Sequence, residues 1–295
     1  MSASFSIKDL ENVCGVKAHT IRIWEKRYHL LSPERTDTNI RTYNMESLKK
    51  LLNVSFLVNC GYKISRVAKL SPEEINEYLK TVVSDKTVID KSFNNLKVAM
   101  LNYNTFIFNN TLIEAEKRFT LNEIFFEVFI PFLNEIGMLW QSGTIKSTHE
   151  HFITNLIKQK LWTSINNLQL QETHKDKTFI LFLPEGETND LSIIFLNHLL
   201  LSKGYKTIYL GANIITEELS NIAKLQNNLV FVSYFTVTPS PENVNDYINI
   251  FKKEICQPNN HEFWIMGRVI KELSAPIDEF TKTVHTFKDF QELIS

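Results

Sequence analysis

Along the first seventy residues apolar positions recur at helical spacing and stop at glycine or proline. Ile7, Leu10 and Cys14 step along one side of a short helix that Ser6 and Asp9 cap and Gly15 ends. A second helix over residues 17–28 sets Ala18, Ile21, Trp24 or Glu25 and Tyr28 on one side. His19, Thr20, Arg22, Ile23, Lys26 and Arg27 occupy the other. After Pro33 the pattern shortens to two β-prone runs around Asp37-Thr38-Asn39, which predicts a small hairpin carrying Arg35 and Arg41. A third helix is expected over 45–59, and Gly61 separates it from a fourth near 64–70. Ser71-Pro72-Glu73-Glu74 caps the next, with proline in its first turn.

From Glu73 to about Leu170 the patterning is purely helical, in segments near 86–103, 105–119, 122–141 and 147–169, which predicts a four-helix bundle. Pro131 must kink the third segment or fall in a first turn after a break. Beyond Lys177 short β-rich runs alternate with helices. TFILFLP precedes a helix ending near Lys203, and TIYLG precedes one starting at Thr216. LVFVSYF then leads to a helix from Glu242, and EFWIMG and TVHTF come before a terminal helix. This alternation predicts a doubly wound α/β domain with a mainly parallel sheet. Ligands in such folds sit at the carboxyl ends of the strands, so the loops after Leu183, Gly211, Phe235 and Met266 are the expected pocket mouth. The chain is thus expected to be multidomain, α plus α/β: a winged helix-turn-helix over 1–72, a helical bundle over 73–172 and a Rossmann-like α/β domain over 173–295.

Charge sharpens the picture. Residues 1–70 carry 12 Lys+Arg against 6 Asp+Glu, while residues 71–295 carry 20 against 27, so a basic head precedes an acidic remainder. That layout suits a nucleic-acid reader joined to a module that avoids phosphate. Cys14, Cys60 and Cys256 lie far apart with no CxxC and are expected as buried free thiols, and no metal set is read. The start MSASFSIKDLENV is no signal peptide and no apolar stretch reaches the roughly 18 residues of a membrane span, so a soluble cytoplasmic protein without a membrane partner is expected. No nucleophile–base constellation, HExxH or phosphate loop is present, and no enzyme is expected.

The stretch from Phe5 to Leu51, with TIRIWEKRY, LLSPERT and IRTY, resembles the DNA-binding domain of MerR-type regulators, a likeness that covers about residues 4–70. By position, the resemblance implies that Arg22, Trp24 and Arg27 of the second helix and Arg35, Asn39, Arg41 and Tyr43 of the wing meet DNA. Trp24 can equally pack against the wing. His19 and Thr20 are the candidates for base reading, or plain polar surface. The resemblance further implies a homodimer or tetramer on double-stranded promoter DNA, in the company of RNA polymerase.

Over nearly the whole chain the order of helix-turn-helix, helical bundle and α/β domain resembles cobalamin-sensing repressors of the CarH and LitR kind. Trp140 and the Glu150-His151 pair are similar to residues that cover the upper face of the cofactor there, and LPEGETNDLS and IYLGAN resemble strand-end loops of the cobalamin-binding-type domain. Three departures matter. Asn189 stands where the Glu187-x-His-x-x-Gly pattern has the lower cobalt ligand, and a carboxamide is a poor substitute for imidazole. Ser192 replaces the glycine of that pattern, and Met266-Gly267 replaces paired glycines beside the cofactor's nucleotide tail. Ser233 completes the candidate pocket. No cofactor is read from the residues, and cobalamin enters only through the resemblance, without a histidine beneath it. The expected function is a sequence-specific DNA-binding regulator, of repressor type, whose rear module senses another ligand or mediates assembly. The alternatives are a regulator that binds cobalamin weakly through Trp140, Glu150 and His151, and a corrinoid-carrying methyltransferase module, which the basic head and the missing histidine disfavour.

Overall fold

Ser6 closes the first helix from both sides: its hydroxyl accepts the Asp9 N–H while the Asp9 carboxylate accepts the Ser6 N–H. Such a box contributes about 1 kcal/mol. At the other end Gly15 takes the left-handed conformation, φ 71°, that a side chain would resist. These details come from a computed structural model that describes residues 4–81, 84–173, 175–273 and 278–295. The chain divides into two units, Met1–Leu156 and Ile157–Ser295.

The first unit opens with helices α1 (Ile7–Cys14) and α2 (Ala18–Tyr28), the strands β1 (Glu34–Arg35) and β2 (Arg41–Thr42), and helices α3 (Met45–Asn59), α4 (Ile64–Val67) and α5 (Pro72–Thr81). Leu10, Val13, Ile21, Trp24, Leu48 and Leu51 make its core. The wing pairs Arg35 with Arg41 and Glu34 with Thr42, and an antiparallel bridge from Phe5 to Tyr43 extends the ladder. The bundle follows as α6 (Asp85–Leu101), α7 (Thr105–Glu116), α8 (Leu121–Ile124), α9 (Ile130–Gln141) and the first part of α10 (Ser147–Leu168). Between α8 and α9 the helix widens into one π turn, Phe125–Phe129, where the Ile130 N–H reaches the Phe125 carbonyl. Pro131 sits in the first turn beyond it, where a missing N–H costs little. Buried Lys97 ties α6 to the end of α1 through the Val13 carbonyl, 2.8 Å away, and to Glu135 of α9 at 2.7 Å.

The second unit holds the rest of α10, then β3 (Thr178–Pro184), α11 (Leu191–Ser202), β4 (Lys206–Ile214), α12 (Thr216–Ala223), β5 (Val230–Phe235), α13 (Val244–Phe251), β6 (Glu262–Gly267), β7 (Thr281–Thr283) and α14 (Phe287–Leu293). Its five strands are parallel in the order β4-β3-β5-β6-β7, the doubly wound arrangement with its switch point between β3 and β5. Period-two alternation divides the strand side chains between two faces. Ile180, Phe182, Phe231 and Phe263 pack with α12 and α13, while Trp264 and Tyr234 meet Phe290 and Phe287 of α14 on the other side.

Three expectations are corrected. The last strand begins two residues before TVHTF: β7 shares Thr283 with that run, and Thr286 caps α14 through the Asp289 N–H, a local bond that strand pairing does not offer. Gly211 does not open a loop, because β4 continues to Ile214 through an irregular register against β3. Of the cysteines only Cys256 is buried; Cys60, at the end of α3, is exposed. Half-buried Cys14 has its thiol pushed up to about 12 by desolvation, which leaves it unreactive. Among the described residues no helix is long and apolar enough to cross a membrane.

The second unit also hides two neutral imidazoles. His198 hydrogen-bonds the Ser164 hydroxyl, 2.9 Å away, and stacks on Phe195, and burial holds its pKa down at about 4. His261 accepts the Leu229 N–H at Nδ1 and faces the Ala223 carbonyl with Nε2, and burial lowers its pKa too. The unfolded chain protonates these rings near pH 6.5, the folded unit only at lower pH, so acid favours unfolding in the window between. His198 alone is expected to remove about 3 kcal/mol from the unit's stability between pH 6.5 and 4, at roughly 1.4 kcal/mol for each pH unit between the two values. Urea unfolding midpoints across that range check this, with His198→Gln flattening the slope; a flat wild-type profile contradicts it.

Candidate nucleic-acid interface and ligand module

One carboxylate organises the basic head. Glu25 faces inward from α2, its side chain 9% exposed, accepts a hydrogen bond from the Tyr43 hydroxyl and forms an ion pair with the Arg41 guanidinium at 3.3 Å. Burial, reinforced by Glu25, pushes the Tyr43 hydroxyl above its usual range, so it stays a donor. The wing is thereby fixed to the second helix of the helix-turn-helix. Its tip is held locally: Asn39 takes the left-handed conformation, and its side-chain oxygen accepts from Arg35 at 2.6 Å.

With the frame fixed, the outer side of α2 presents His19, Arg22, Ile23, Lys26 and Arg27 to solvent, with Thr20 half-buried at their edge. Arg27 lies over the Tyr28 ring, 5.5 Å from its centre. Arg35 and Asn39 are exposed on the wing and Arg41 is half-buried. Two expected contact residues are relocated. Tyr43 is 1% exposed and Trp24 is buried beside Ile21, so both belong to the frame rather than to the surface. Aromatic bulk beside a hairpin carries no sign of which way it points, whereas the hydroxyl needed a buried partner, and Glu25 supplies one. The role of Glu25 escaped the sequence reading. Its signal was an acidic residue inside an otherwise cationic helix.

The rear unit has its own buried carboxylate. Glu187, 2% exposed, accepts the N–H groups of Thr188 and Asn189 at Oε1 and of Thr236, Val237 and Thr238 at Oε2, between 2.8 and 3.3 Å. These are the loops after β3 and β5, so the carboxylate bridges the switch-point crevice. A second tether joins the Gly186 N–H to the Asn213 side chain. Asn189 is exposed and Ser192 half-buried, with a hydrogen bond between Ser192 and Tyr234. Lys158 pairs with Asp190 beside them.

The remaining pocket candidates do not converge. Ser233 pairs in register with Ile265 and Met266 with Tyr234, so the two side chains leave opposite faces of the sheet. Both are fully buried, and the Ser233 hydroxyl is without a partner. A Cβ on Gly267 would stand 2.2 Å from the Phe235 carbonyl oxygen, so the glycine serves close strand approach rather than an open channel. Residues suited to a histidine-ligated corrinoid are therefore not in place here: the imidazole is absent, the carboxylate that would orient it is taken up by backbone amides, and the tail side is filled. In the first unit Trp140, 53% exposed, Glu150 and His151 all face solvent. Among the described residues no cluster of three or more His, Cys, Asp or Glu could hold a metal ion.

Comparison with known proteins agrees with this division. Residues 5–74 match the MerR HTH family regulatory protein model, and residues 93–162 match the B12 binding domain model. The HTH-type transcriptional repressor CarH of Myxococcus xanthus is 25% identical over 293 residues, covering 97% of this chain and 95% of CarH. The HTH-type transcriptional regulator MlrA of Escherichia coli is 29% identical over 72 residues, 24% of this chain and 30% of MlrA. A monomethylamine corrinoid protein of Methanosarcina barkeri shares the fold, with a TM-score of 0.58 at 15% identity over 71% of this chain and 98% of that one. The first two are transcription regulators, and the third shares the fold of most of this chain. The chain is accordingly similar to MerR-type regulators over residues 5–74 and to B12 binding domains over residues 93–162, and its likeness to CarH runs across nearly its whole length.

Proposed function

We propose that the chain is a transcription regulator of repressor type whose α2 enters the major groove of promoter DNA while the wing grips the flanking backbone. The single observation behind this reading is the Glu25 node, which holds an arginine-bearing hairpin beside a helix with Arg22, Lys26 and Arg27 on its outer side. Phosphate contacts by these cations supply most of the affinity and make it salt-dependent. In this reading His19 and Thr20, near the start of α2, read base edges, and exposed Ile23 offers an apolar contact of the kind that reads a thymine methyl. One reader per chain and pseudo-palindromic sites imply a homodimer or tetramer, working in the cytoplasm where the promoter and RNA polymerase are.

The rear module works, in this reading, without a histidine-ligated corrinoid. Glu187 spends its hydrogen-bonding capacity on five amides, which favours a fixed crevice over a metal-linked one. A second reading, corrinoid held from above alone, is favoured by the exposure of Trp140 with Glu150 and His151. Mixing the full chain with hydroxocobalamin and removing the free pigment by gel filtration separates the two. The first expects colourless protein; a stoichiometric coloured complex selects the second.

Arg22→Ala is expected to weaken binding to an upstream duplex by about 1 to 3 kcal/mol and to lower the salt slope by about one, as loss of a phosphate or base contact does. Fluorescence anisotropy at several salt concentrations measures both quantities. Unchanged affinity in a folded variant removes α2 from the interface.

A further inference from the structure

Helices α3, α5, α6 and α7 line a half-open pocket of about 640 Å³, within the range of small-molecule sites. Its walls contradict ordinary bundle patterning. Val88, Lys91, Ser92, Asn95 and Val98 form one stripe of α6, and Ile107, Asn110, Thr111 and Glu114 one of α7. Stripes at this spacing normally carry apolar side chains into a core. Here their centres are polar.

The groups differ in how well they are satisfied. Around the rim Lys49 pairs with Glu46, Lys117 with Glu114 and Arg118 with Asp85, and the Thr111 hydroxyl donates to the Ile107 carbonyl. The side chains of Lys91, Ser92, Asn95 and Asn110 have no hydrogen-bond or ion-pair partner among the described residues. Ser92 is buried as a residue, at 3% exposed, among the residues that line the pocket. Lys91 and Asn95 fall one turn apart at i and i+4, and Ser92, three residues before Asn95, neighbours the carboxamide from the other side. Leu79, Val98, Ile107 and strongly exposed Phe106 supply an apolar wall next to this polar centre.

We propose that this cavity binds a small amphipathic organic anion, with a carboxylate or phosphate head on Lys91, Ser92 and Asn95 and its apolar body along Val98, Ile107 and Phe106. An unmatched cation in a half-enclosed site favours a negative head, and neighbouring hydroxyl and amide donors add directional bonds to it. The concave shape excludes a duplex, whose backbone needs an open face. Since α3 and α5 bound one side and α6 and α7 the other, the ligand would touch both the elements behind the wing and the bundle.

Isothermal titration calorimetry of the DNA-free full chain with octanoate, octyl phosphate and inorganic phosphate tests the site. One octanoate or octyl phosphate per chain is expected, the tighter of the two identifying the head group, with inorganic phosphate at least tenfold weaker. Lys91→Met is expected to weaken the better ligand at least tenfold, while Lys224→Met, on the other unit, leaves it unchanged. Should Lys91→Met fail to fold, Lys91→Gln carries the same expectation. No saturable binding by either amphiphile, or equal binding by wild type and the folded Lys91 variant, overturns the proposal. Because no DNA is present, failure here leaves the promoter-binding reading intact.

Discussion

Removing the Glu25 carboxylate would leave the buried Tyr43 hydroxyl without its acceptor and the partly exposed Arg41 guanidinium without its counter-charge. A buried donor stripped of its acceptor costs roughly 1–3 kcal/mol, more when charged. That dependence makes Glu25 more than a local contact. Helix α2 and the wing approach DNA as one rigid surface only if their relative position is set beforehand, since ordering them on binding would subtract from affinity. The phenol, the guanidinium and the carboxylate set it from inside the domain. The outward side of α2 is then left to cations and to one exposed isoleucine.

The rear unit repeats this use of a carboxylate at its own functional edge. In doubly wound sheets the crevice lies where neighbouring connections run to opposite faces, here between β3 and β5. Glu187 occupies that position and converts it into a hydrogen-bonded joint. A side chain that would serve a metal ligand in a corrinoid protein serves the backbone instead, and the exposed Asn189 beside it gives cobalt no imidazole. The fold is shared with a corrinoid protein, while Asn189 supplies a carboxamide and no imidazole at the mouth of the crevice. A second polar hollow lies in the first unit, in the bundle pocket around Lys91.

Much of this was legible in the residues because it depends on local rules. Ser6, Asp9 and Gly15 announce α1, and the change of period after Lys177 announces the α/β unit. What stayed hidden depends on long-range pairing. Whether Tyr43 faces solvent is settled by Glu25, eighteen residues away in sequence, and whether Ser233 and Met266 share a pocket is settled by the register of β5 on β6. The misplacement of TVHTF has a similar origin: its residues suit a strand, yet Thr286 found a cap bond within three residues, and the edge strand formed earlier. The cavity near Lys91 was invisible for another reason. A lysine, a serine and an asparagine on a helix look like solvated surface until tertiary packing encloses them.

The central claim is that the outer side of α2, with the arginines of the wing, fits a duplex. Anisotropy of labelled fragments from upstream of the protein's own coding region, titrated with the full chain across a salt series, tests it most directly. The account expects one fragment to bind far more tightly than its scrambled counterpart, with log affinity falling linearly against log salt with a slope of several, as release of counterions from contacted phosphates requires. Equal binding to native and scrambled fragments, or an affinity indifferent to salt, would contradict it.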